Sequence, residues 1–351
     1  MKILGVILDV TDPQNPTIAL PEDKRKELNL LILTCLSNTN SEGQILVRVG
    51  ELQSILGKLS NATKACKRGR VYLCGLFKSL RLPRTSCHED TVLTLEPWQK
   101  RNLVWWAKRT EVEWKPEEVF ERIPSIEKKW CGHSDAATGV GYGGFFNRKG
   151  GHKCRLSGEQ SLEGGFENSR PTEIIQVEDT CYYIKGEWTN TERELMETPT
   201  EELGGKRLGI NFLEMATVGM LISASKAVGF EDNCSTFYCD NETTVKVLNS
   251  YKTRTLPLAS LLENIDLECS DRNLDFDYQW IATKSNIESD LLSRGMIAEF
   301  KEYIRKTYNI YKFVELQVSD DARKMGHVCE NARRNPHWIV PDGASKEGLP
   351  K

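Results

Sequence analysis

Four acidic residues stand where a folded chain could bring their carboxylates together. They are Asp135 in SDAATGVGYGG, Glu214 in NFLEMATVGM, Asp240 in STFYCDN and Asp290 in SNIESDLLSRG. Carboxylates that share one place repel each other unless cations lie among them. Mg²⁺ prefers oxygen ligands, and two such ions about 4 Å apart stabilise the attacking and leaving oxygens of phosphodiester hydrolysis. The four acids therefore indicate metal-dependent chemistry on a phosphodiester.

Each of the four acids also has an ordinary explanation when it is taken alone. Asp135 could cap a turn or pair with a base, and Glu214 could complement the dipole of its helix. Asp240 could be a helix N-cap, and Asp290 could be a solvated helix residue. The hypothesis of a shared site depends on where the secondary structure elements place the four.

Residues 126–295 are predicted to alternate between strands and helices. Asp135 lies in a strand over 130–146, which turns near 147–150 into a return strand at 151–156. This order predicts an α/β fold with a mixed sheet, antiparallel at first and parallel later. The other predicted elements are a strand at 174–185, a polar loop at 189–206, a helix at 211–228, a strand at 234–239, helices at 241–249 and 257–269, a strand at 276–282 and a helix at 287–292.

The flanking regions are predicted to be mostly helical. Residues 1–125 begin with a β-hairpin formed by ILGVILDV and TIAL. Residues 296–351 are predicted to form one amphipathic helix, Ile297–Tyr308, and then an ill-defined segment with a disordered end. Apolar residues at helical spacing predict four helices before residue 125. They begin at Pro21 and continue over 47–59, within 71–80 and over 97–108.

A basic stretch covers residues 58–84, where eight Lys and Arg residues occur without an acid. The whole chain has a formal net charge of −3, so this stretch leaves −11 on the remaining residues. Such a run can be an ordinary solvated helix face. Because the stretch contains only basic charges, interleaved with the aromatic residues Tyr72 and Phe77, it also suits contact with nucleic-acid phosphates. The candidate contacts are Lys58, Lys64, Lys67, Arg68 and Arg70.

The composition excludes global disorder. The 351 residues are 39% hydrophobic and 28% charged, enough for two or three domains with packed cores. Without a signal-peptide pattern or a membrane-spanning apolar run, we expect no membrane contact and an intracellular, cytoplasmic or nuclear location. The eleven cysteines show no CxxC spacing and are expected to be reduced thiols. Zinc binding by Cys131, His133, His152 and Cys154 is disfavoured, because the predicted hairpin does not bring the four together.

The four motifs, in this order, resemble the RNase H type 1 domain of retroelement reverse transcriptases, most closely those of gypsy-like and DIRS/Ngaro-like elements. The resemblance implies an RNase H-like mixed five-stranded sheet and a nuclease that cleaves the RNA strand of RNA–DNA hybrids. It implies that Asp135 bridges two Mg²⁺ ions, for which Mn²⁺ can substitute. Glu214 and Asp240 would complete one metal site and Asp290 the other. Asn241 and Asn286, in the last two motifs, are candidates for contact with the nucleic acid.

The N-terminal region resembles the segment that follows the polymerase palm in the same elements. The matching segments are KILGVILD, IALPEDKRKEL and GELQSILGKLSNATKACKRGR. They imply a thumb/connection-like region at 1–125 that grips the template–primer duplex. An RNase H-like domain at 126–295 and a C-terminal helix and tail at 296–351 would follow. No YxDD-like motif occurs in the sequence, so we expect no DNA synthesis by this chain alone.

Three departures from the family pattern bear on whether hydrolysis occurs. Glu288-Ser289 replaces the usual Pro-Ala, residues 147–206 form a long insertion, and Lys284 lies in a loop where some members carry a histidine. The alternative to an active enzyme is therefore a non-catalytic nucleic-acid-binding module derived from a truncated or domesticated retroelement. Besides a hybrid or another nucleic-acid duplex, other parts of a retroelement polyprotein are expected partners.

Overall fold

The computed structural model describes ten stretches of the chain: residues 2–3, 5–12, 17–80, 88–111, 117–118, 130–148, 180–197, 209–230, 234–253 and 255–323. Within these stretches no helix is both long and apolar enough to cross a membrane. Seven cysteines within these stretches are free thiols, and six of the seven are buried.

The N-terminal region combines small antiparallel sheets with helices. The predicted hairpin is present, because β2 pairs with β3 from Asp9 opposite Thr17 to Ile7 opposite Ala19. Its predicted first strand is divided, however, because β1 pairs antiparallel with β2. The helices predicted near Pro21 and from residue 97 are also present. The elements are β1 (Lys2–Ile3), β2 (Val6–Asp9), β3 (Thr17–Ala19), α1 (Glu22–Ser37), β4 (Ile45–Arg48), α2 (Val49–Ala62), α3 (Cys74–Ser79), β5 (Val92–Leu95), α4 (Pro97–Thr110) and β6 (Glu117–Glu118).

Two short strands in this region differ from the sequence prediction. Val47 was expected in a helix but lies in β4, which pairs antiparallel with β5. The helix begins two residues later because the Arg48 backbone N–H donates to the Glu51 carboxylate at 3.3 Å, which caps α2. The apolar spacing continues unbroken through β4 into α2, so periodicity alone does not show the boundary.

The second region is built on a six-stranded mixed sheet in the order β11-β10-β7-β8-β9-β12. Strands β7, β8 and β9 form an antiparallel meander, and β10 runs parallel to β7, with β11 parallel to β10. This confirms the mixed α/β prediction and is consistent with an RNase H-like arrangement. The strands are β7 (Trp130–Ala136), β8 (Gly141–Arg148), β9 (Thr180–Glu187), β10 (Cys234–Cys239), β11 (Asp275–Trp280) and β12 (Lys312–Glu315).

Helices cover both faces of this sheet. Phe146 belongs to the large core around α6, whereas its neighbour Phe145 packs with Leu292 and Phe300 on the other face, under α9 and α10. Twelve residues of α6 are buried around its whole circumference, which makes it the central helix of the core. The helices are α5 (Asn190–Glu197), α6 (Ile210–Ala224), α7 (Glu242–Ser250), α8 (Leu256–Asp271), α9 (Ile287–Ser293) and α10 (Ile297–Tyr308).

The hairpin that carries Asp135 turns earlier than the sequence predicts. The expected turn near 147–150 is wrong, because the chain reverses between Ala136 and Gly141. The N–H of Ala137 donates to the Gly141 carbonyl at 2.9 Å and closes this turn. The glycines that the sequence predicts within one long strand lie in the turn and in β8. The expected return strand at 151–156 and the candidate ligands His152 and Cys154 lie outside the described residues.

Two further elements were not predicted. The expected loop at 189–206 contains α5, whose first turn is capped reciprocally by Thr189 and Glu192. The segment after α10, expected to be ill-defined, contains β12, which pairs parallel with β9 and makes the sheet six-stranded rather than five-stranded. A hydrogen bond of 3.0 Å from the Tyr183 hydroxyl to Glu315 attaches β12 to the sheet.

Helix α8 joins the sheet to the N-terminal helices. The buried carboxylate of Asp266 accepts a hydrogen bond of 2.8 Å from the Tyr72 hydroxyl. It also lies 3.5 Å from Nε of Arg68. On the same helix, Glu263 accepts a hydrogen bond of 3.2 Å from Asn102 of α4. These polar contacts lie within one continuous apolar core that both regions share.

Candidate active site

Asp135 and Asp240 lie at the same edge of the sheet because their strands run parallel. Ser134 of β7 is opposite Cys239 of β10, so the next residue of each strand reaches this edge. Asp135 is buried and Asp240 is half-buried. The structure therefore brings these two predicted site residues together, as expected for the carboxyl ends of neighbouring parallel strands.

Glu214 reaches the same edge from α6. Its carboxylate accepts a hydrogen bond from the Ala136 N–H at 3.4 Å and a weak one from the Cys239 thiol at 3.8 Å. Ligand atoms of Glu214, Cys239 and Asp240 all lie within 4.8 Å of one another. Glu214 is in the second turn of α6, whereas a helix dipole acts mainly within the first turn. The dipole therefore does not account for a carboxylate here.

Helix α9 carries Asp290 and is attached to the strand that carries Asp135. Before the helix, Asn286 Nδ2 donates to the Ser134 carbonyl at 2.9 Å. At its last residue, the Ser293 hydroxyl donates to the Asp135 carboxylate and lies 3.0 Å from the Asp290 carbonyl. Both ends of α9 are thereby held against β7, and Asp290 comes to the edge where the other three acids lie.

Gly143 allows this close approach of α9 to the sheet. It lies opposite Asp135 in β8, and a Cβ there would come within 2.3 Å of the Leu292 Cβ and 2.5 Å of the Ser293 nitrogen. We expect Gly143→Ala to lower the free energy of unfolding in urea by about 1–3 kcal/mol, because the crowding moves α9. The control is Gly139→Ala in the turn, where a Cβ meets nothing within 4 Å and the change should stay within about 0.5 kcal/mol. Equal effects of the two substitutions would contradict this assignment.

Two further side chains belong to the edge of the site. Arg294 Nε donates to the Asp290 carboxylate at 2.8 Å, one helical turn away. The indole N–H of Trp280, an exposed residue at the end of β11, donates to the Asp240 carbonyl at 2.9 Å. Neither residue was singled out in the sequence. For Arg294 the available signal is its i, i+4 spacing from Asp290.

Burial and mutual repulsion make the site unfavourable for carboxylates alone. Burial first, and then the neighbouring Asp240 and Asp290, raise the pKa of Asp135 to about 6, although the Ser293 hydrogen bond opposes the shift. Burial, together with Asp135 and Asp240, raises the pKa of Glu214 to about 9. These shifts show the cost of bringing several carboxylates together away from water.

The donor set of this edge fits a hard divalent cation. Glu214 is only 4% exposed, and the charged groups that shift its pKa are the acids Asp135 and Asp240. A cation bound between Glu214 and Asp240 would remove the repulsion that raises the carboxyl pKa values. Carboxylate oxygens suit Mg²⁺ or Mn²⁺, whereas the Cys239 thiol is a soft ligand that Mg²⁺ does not favour.

The basic candidates for nucleic-acid contact divide into two groups. Lys64 and Lys67 are exposed, and the Lys67 ammonium lies 6.0 Å from the centre of the Tyr251 ring. The partners of the remaining three candidates are polar groups of the fold. Lys58 pairs with Glu27, Arg68 pairs with Asp266, and Arg70 donates to the Ser250 carbonyl at 3.4 Å. Part of the basic stretch therefore connects helices of the fold.

The two asparagine candidates also have partners within the fold. Asn241 caps α7 by accepting from the Thr244 N–H at 2.9 Å, and its amide donates to the Asn211 side chain at 2.9 Å. This bears out the expectation that Asn241 begins the helix after Asp240. Asn286 is fully buried, and its hydrogen bond to the Ser134 carbonyl positions α9.

Comparisons with known proteins yield few similarities. No protein-family model matches the sequence, and no curated protein matches it. A solved structure of foamy viral protease-reverse transcriptase dRH in complex with double-stranded DNA is 15% identical, with a TM-score of 0.24; the match covers 80% of this chain and 37% of that one. A solved structure of foamy viral protease-reverse transcriptase in complex with an RNA/DNA hybrid is 11% identical, with a TM-score of 0.23. That match covers 83% of this chain and 51% of the other. The chain thus spans about half or less of each, and TM-scores this low do not establish a shared fold.

Proposed function

We propose that this chain is a metal-dependent nuclease of the RNase H type that cleaves the RNA strand of RNA–DNA hybrids, derived from a retroelement reverse transcriptase. The observation that carries the proposal is the meeting of Asp135, Glu214, Asp240 and Asp290 at one edge of a mixed sheet. These are the four positions that match the motifs of the family. The alternative functions of single acids, such as helix capping, do not explain why four elements converge here.

The protein's own residues would prepare the site in three ways. Asp135, Glu214 and Asp240 would hold divalent cations, and the burial of Asp135 and Glu214 excludes the water that would otherwise screen the charges. Asp290 adds a carboxylate whose side chain is 35% exposed, so it would remain accessible to a substrate. Ser293 orients Asp135 through its hydrogen bond. When bound, two divalent ions supply an activated water and stabilise the departing 3′ oxygen.

The N-terminal helical region would serve as the thumb/connection-like part that contacts the hybrid. Lys64 and Lys67 are exposed on this region and are the proposed phosphate contacts. Such contacts recognise shape and charge rather than base sequence, and RNA–DNA hybrids are distinguished through 2′-hydroxyl and backbone geometry. The shared core between the two regions would keep this surface at a constant distance from the four acids.

A cleavage assay on the purified full chain tests the proposed function. A duplex with an RNA strand labelled at its 5′ end and a DNA complement should be cut in Mg²⁺ or Mn²⁺ but not in EDTA, because carboxylates alone cannot activate the water. Double-stranded DNA of the same sequence is the matched control and should stay intact. A hybrid left uncut in both metals would contradict the nuclease. Salt-dependent binding without cleavage would instead favour the non-catalytic nucleic-acid-binding module.

A further inference from the structure

Arg294 places a fixed positive charge at a partly exposed carboxylate of the candidate active site. Its Nε lies 2.8 Å from Oδ1 of Asp290, and the two side chains are 54% and 35% exposed. The residue before Arg294 is Ser293, which donates to Asp135. A single short helix therefore brings a cation to one proposed metal ligand and a hydroxyl donor to another.

The same pair elsewhere on a helix would have little significance. Exposed i, i+4 ion pairs contribute a few tenths of a kcal/mol to stability and are screened by salt. This one differs because Asp290 stands beside Asp135, whose carboxylate it repels, and Asp135 in turn repels Glu214. A guanidinium at Asp290 therefore reduces the net negative charge of a site that is proposed to attract divalent cations.

A bound cation and Arg294 would act on the same carboxylate. Asp290 has two oxygens, and Arg294 takes one of them. A divalent ion at the other oxygen would lie close to the guanidinium, and two positive charges at that separation repel each other. The ion must therefore bind against this repulsion or move Arg294 aside, and either process weakens its binding.

We propose that Arg294 lowers and thereby sets the affinity of the Asp290 side of the site for its divalent cation, by competing with the ion for the Asp290 carboxylate. The inference rests on the proposed function, because it takes Asp290 to be a metal ligand. In this role Arg294 is a positioning residue that acts through the Asp290 carboxylate, one oxygen of which it occupies before the ion binds. It also limits the second ion to conditions in which that ion is abundant.

The test measures Mn²⁺ binding to the full-length protein in the absence of nucleic acid. Binding is monitored by the decrease of the electron paramagnetic resonance signal of free Mn²⁺. Arg294→Gln should tighten the weaker Mn²⁺ site by about tenfold, because one unit charge no longer repels a divalent ion. Arg294→Lys keeps the charge and should stay close to the wild type. The difference between Gln and Lys should shrink as the salt concentration rises, since exposed charges are screened.

Two controls separate this role from a structural one. Arg305→Gln removes a guanidinium that pairs with Glu302 on the neighbouring α10, and it should leave Mn²⁺ binding unchanged. Asp290→Asn removes the carboxylate and should abolish the weaker Mn²⁺ site. If Arg294→Gln binds Mn²⁺ no more tightly than the wild type while Asp290→Asn loses the site, the role of Arg294 is wrong and the nuclease proposal stands. If the wild type binds no Mn²⁺ that depends on Asp290, the metal site and the role of Arg294 both fail.

Discussion

Asp135→Asn should reduce hybrid cleavage by at least about a thousandfold, which corresponds to about 4 kcal/mol in activation free energy. Asp135 lies between the other acids, since it interacts with Asp240 and Asp290 and takes the hydrogen bond from Ser293. An asparagine keeps the size and the acceptor oxygen but loses the charge that attracts cations. The loss should therefore fall on the rate at saturating hybrid, with little change in hybrid binding.

Stability measurements distinguish this loss from misfolding. The pKa of Asp135 in the folded protein is raised to about 6 from 3.8, mainly by burial. The wild-type protein, free of metal, therefore loses stability as the pH rises through this range, because the folded state must give up a proton that it binds more tightly. The Asp135→Asn variant has no such pH-dependent loss of stability. At pH 8 in EDTA we expect the variant to melt no lower than the wild type.

Asp271→Asn provides the matched control for the same chemical change. Asp271 is exposed at the end of α8, on an element that carries none of the four acids. The Asp271→Asn variant should cleave the hybrid at the wild-type rate. A variant at Asp135 that keeps more than a tenth of the wild-type rate would show that the reaction takes place somewhere else. A variant that loses activity and also melts well below the wild type would show that Asp135 has a structural role.

The elements that hold the four acids were largely predictable because each has a strong local signal. The strand Cys234–Cys239 and the helix from residue 287 appear as expected, since apolar residues recur with the periods of a buried strand and of a helix. The helix predicted from residue 241 corresponds to α7, which Asn241 caps. Motif order indicated that the acids share a site, although spacing alone left the ordinary explanation of each acid open.

Some of the features that the sequence does not predict have an ambiguous local signal, and others depend on contacts between distant residues. The turn between β7 and β8 could not be located, because a run of glycines fits a strand and a turn equally well. The strand β12 is only four residues long and forms by pairing with β9, more than a hundred residues earlier. Likewise, no local pattern shows that Arg68 pairs with Asp266, so a basic stretch was interpreted entirely as a surface.

The position of Arg68 leads to the second large effect. Its side chain is 25% exposed, and Nε lies 3.5 Å from the Asp266 carboxylate, which is only 1% exposed. Its terminal nitrogens donate to the Ser270 hydroxyl at 2.8 Å and to the Leu274 carbonyl at 3.4 Å. Arg68→Ala removes a cation from a buried carboxylate and should lower the free energy of unfolding by about 3 kcal/mol. Urea titrations that follow the tryptophan fluorescence measure this change.

Lys64→Ala is the matched control because Lys64 is exposed in the same basic stretch. It should change stability by less than about 0.5 kcal/mol but weaken hybrid binding and reduce its dependence on salt, as the loss of a phosphate contact does. The milder Arg68→Lys keeps the charge and should fall between Arg68→Ala and the wild type. The Arg68→Lys variant allows the change in stability to be measured even if Arg68→Ala fails to fold.

A double substitution identifies the cause of the Arg68 effect. If the destabilisation comes from leaving the Asp266 charge in the core, Asp266→Asn added to Arg68→Ala should recover at least half of the lost free energy, because the amide carries no charge and can still accept from Tyr72. If Arg68→Ala instead weakens hybrid binding and leaves the free energy of unfolding unchanged, Arg68 belongs to the surface that contacts nucleic acid. We expect the first outcome, because the guanidinium contacts three groups of the sheet domain around α8.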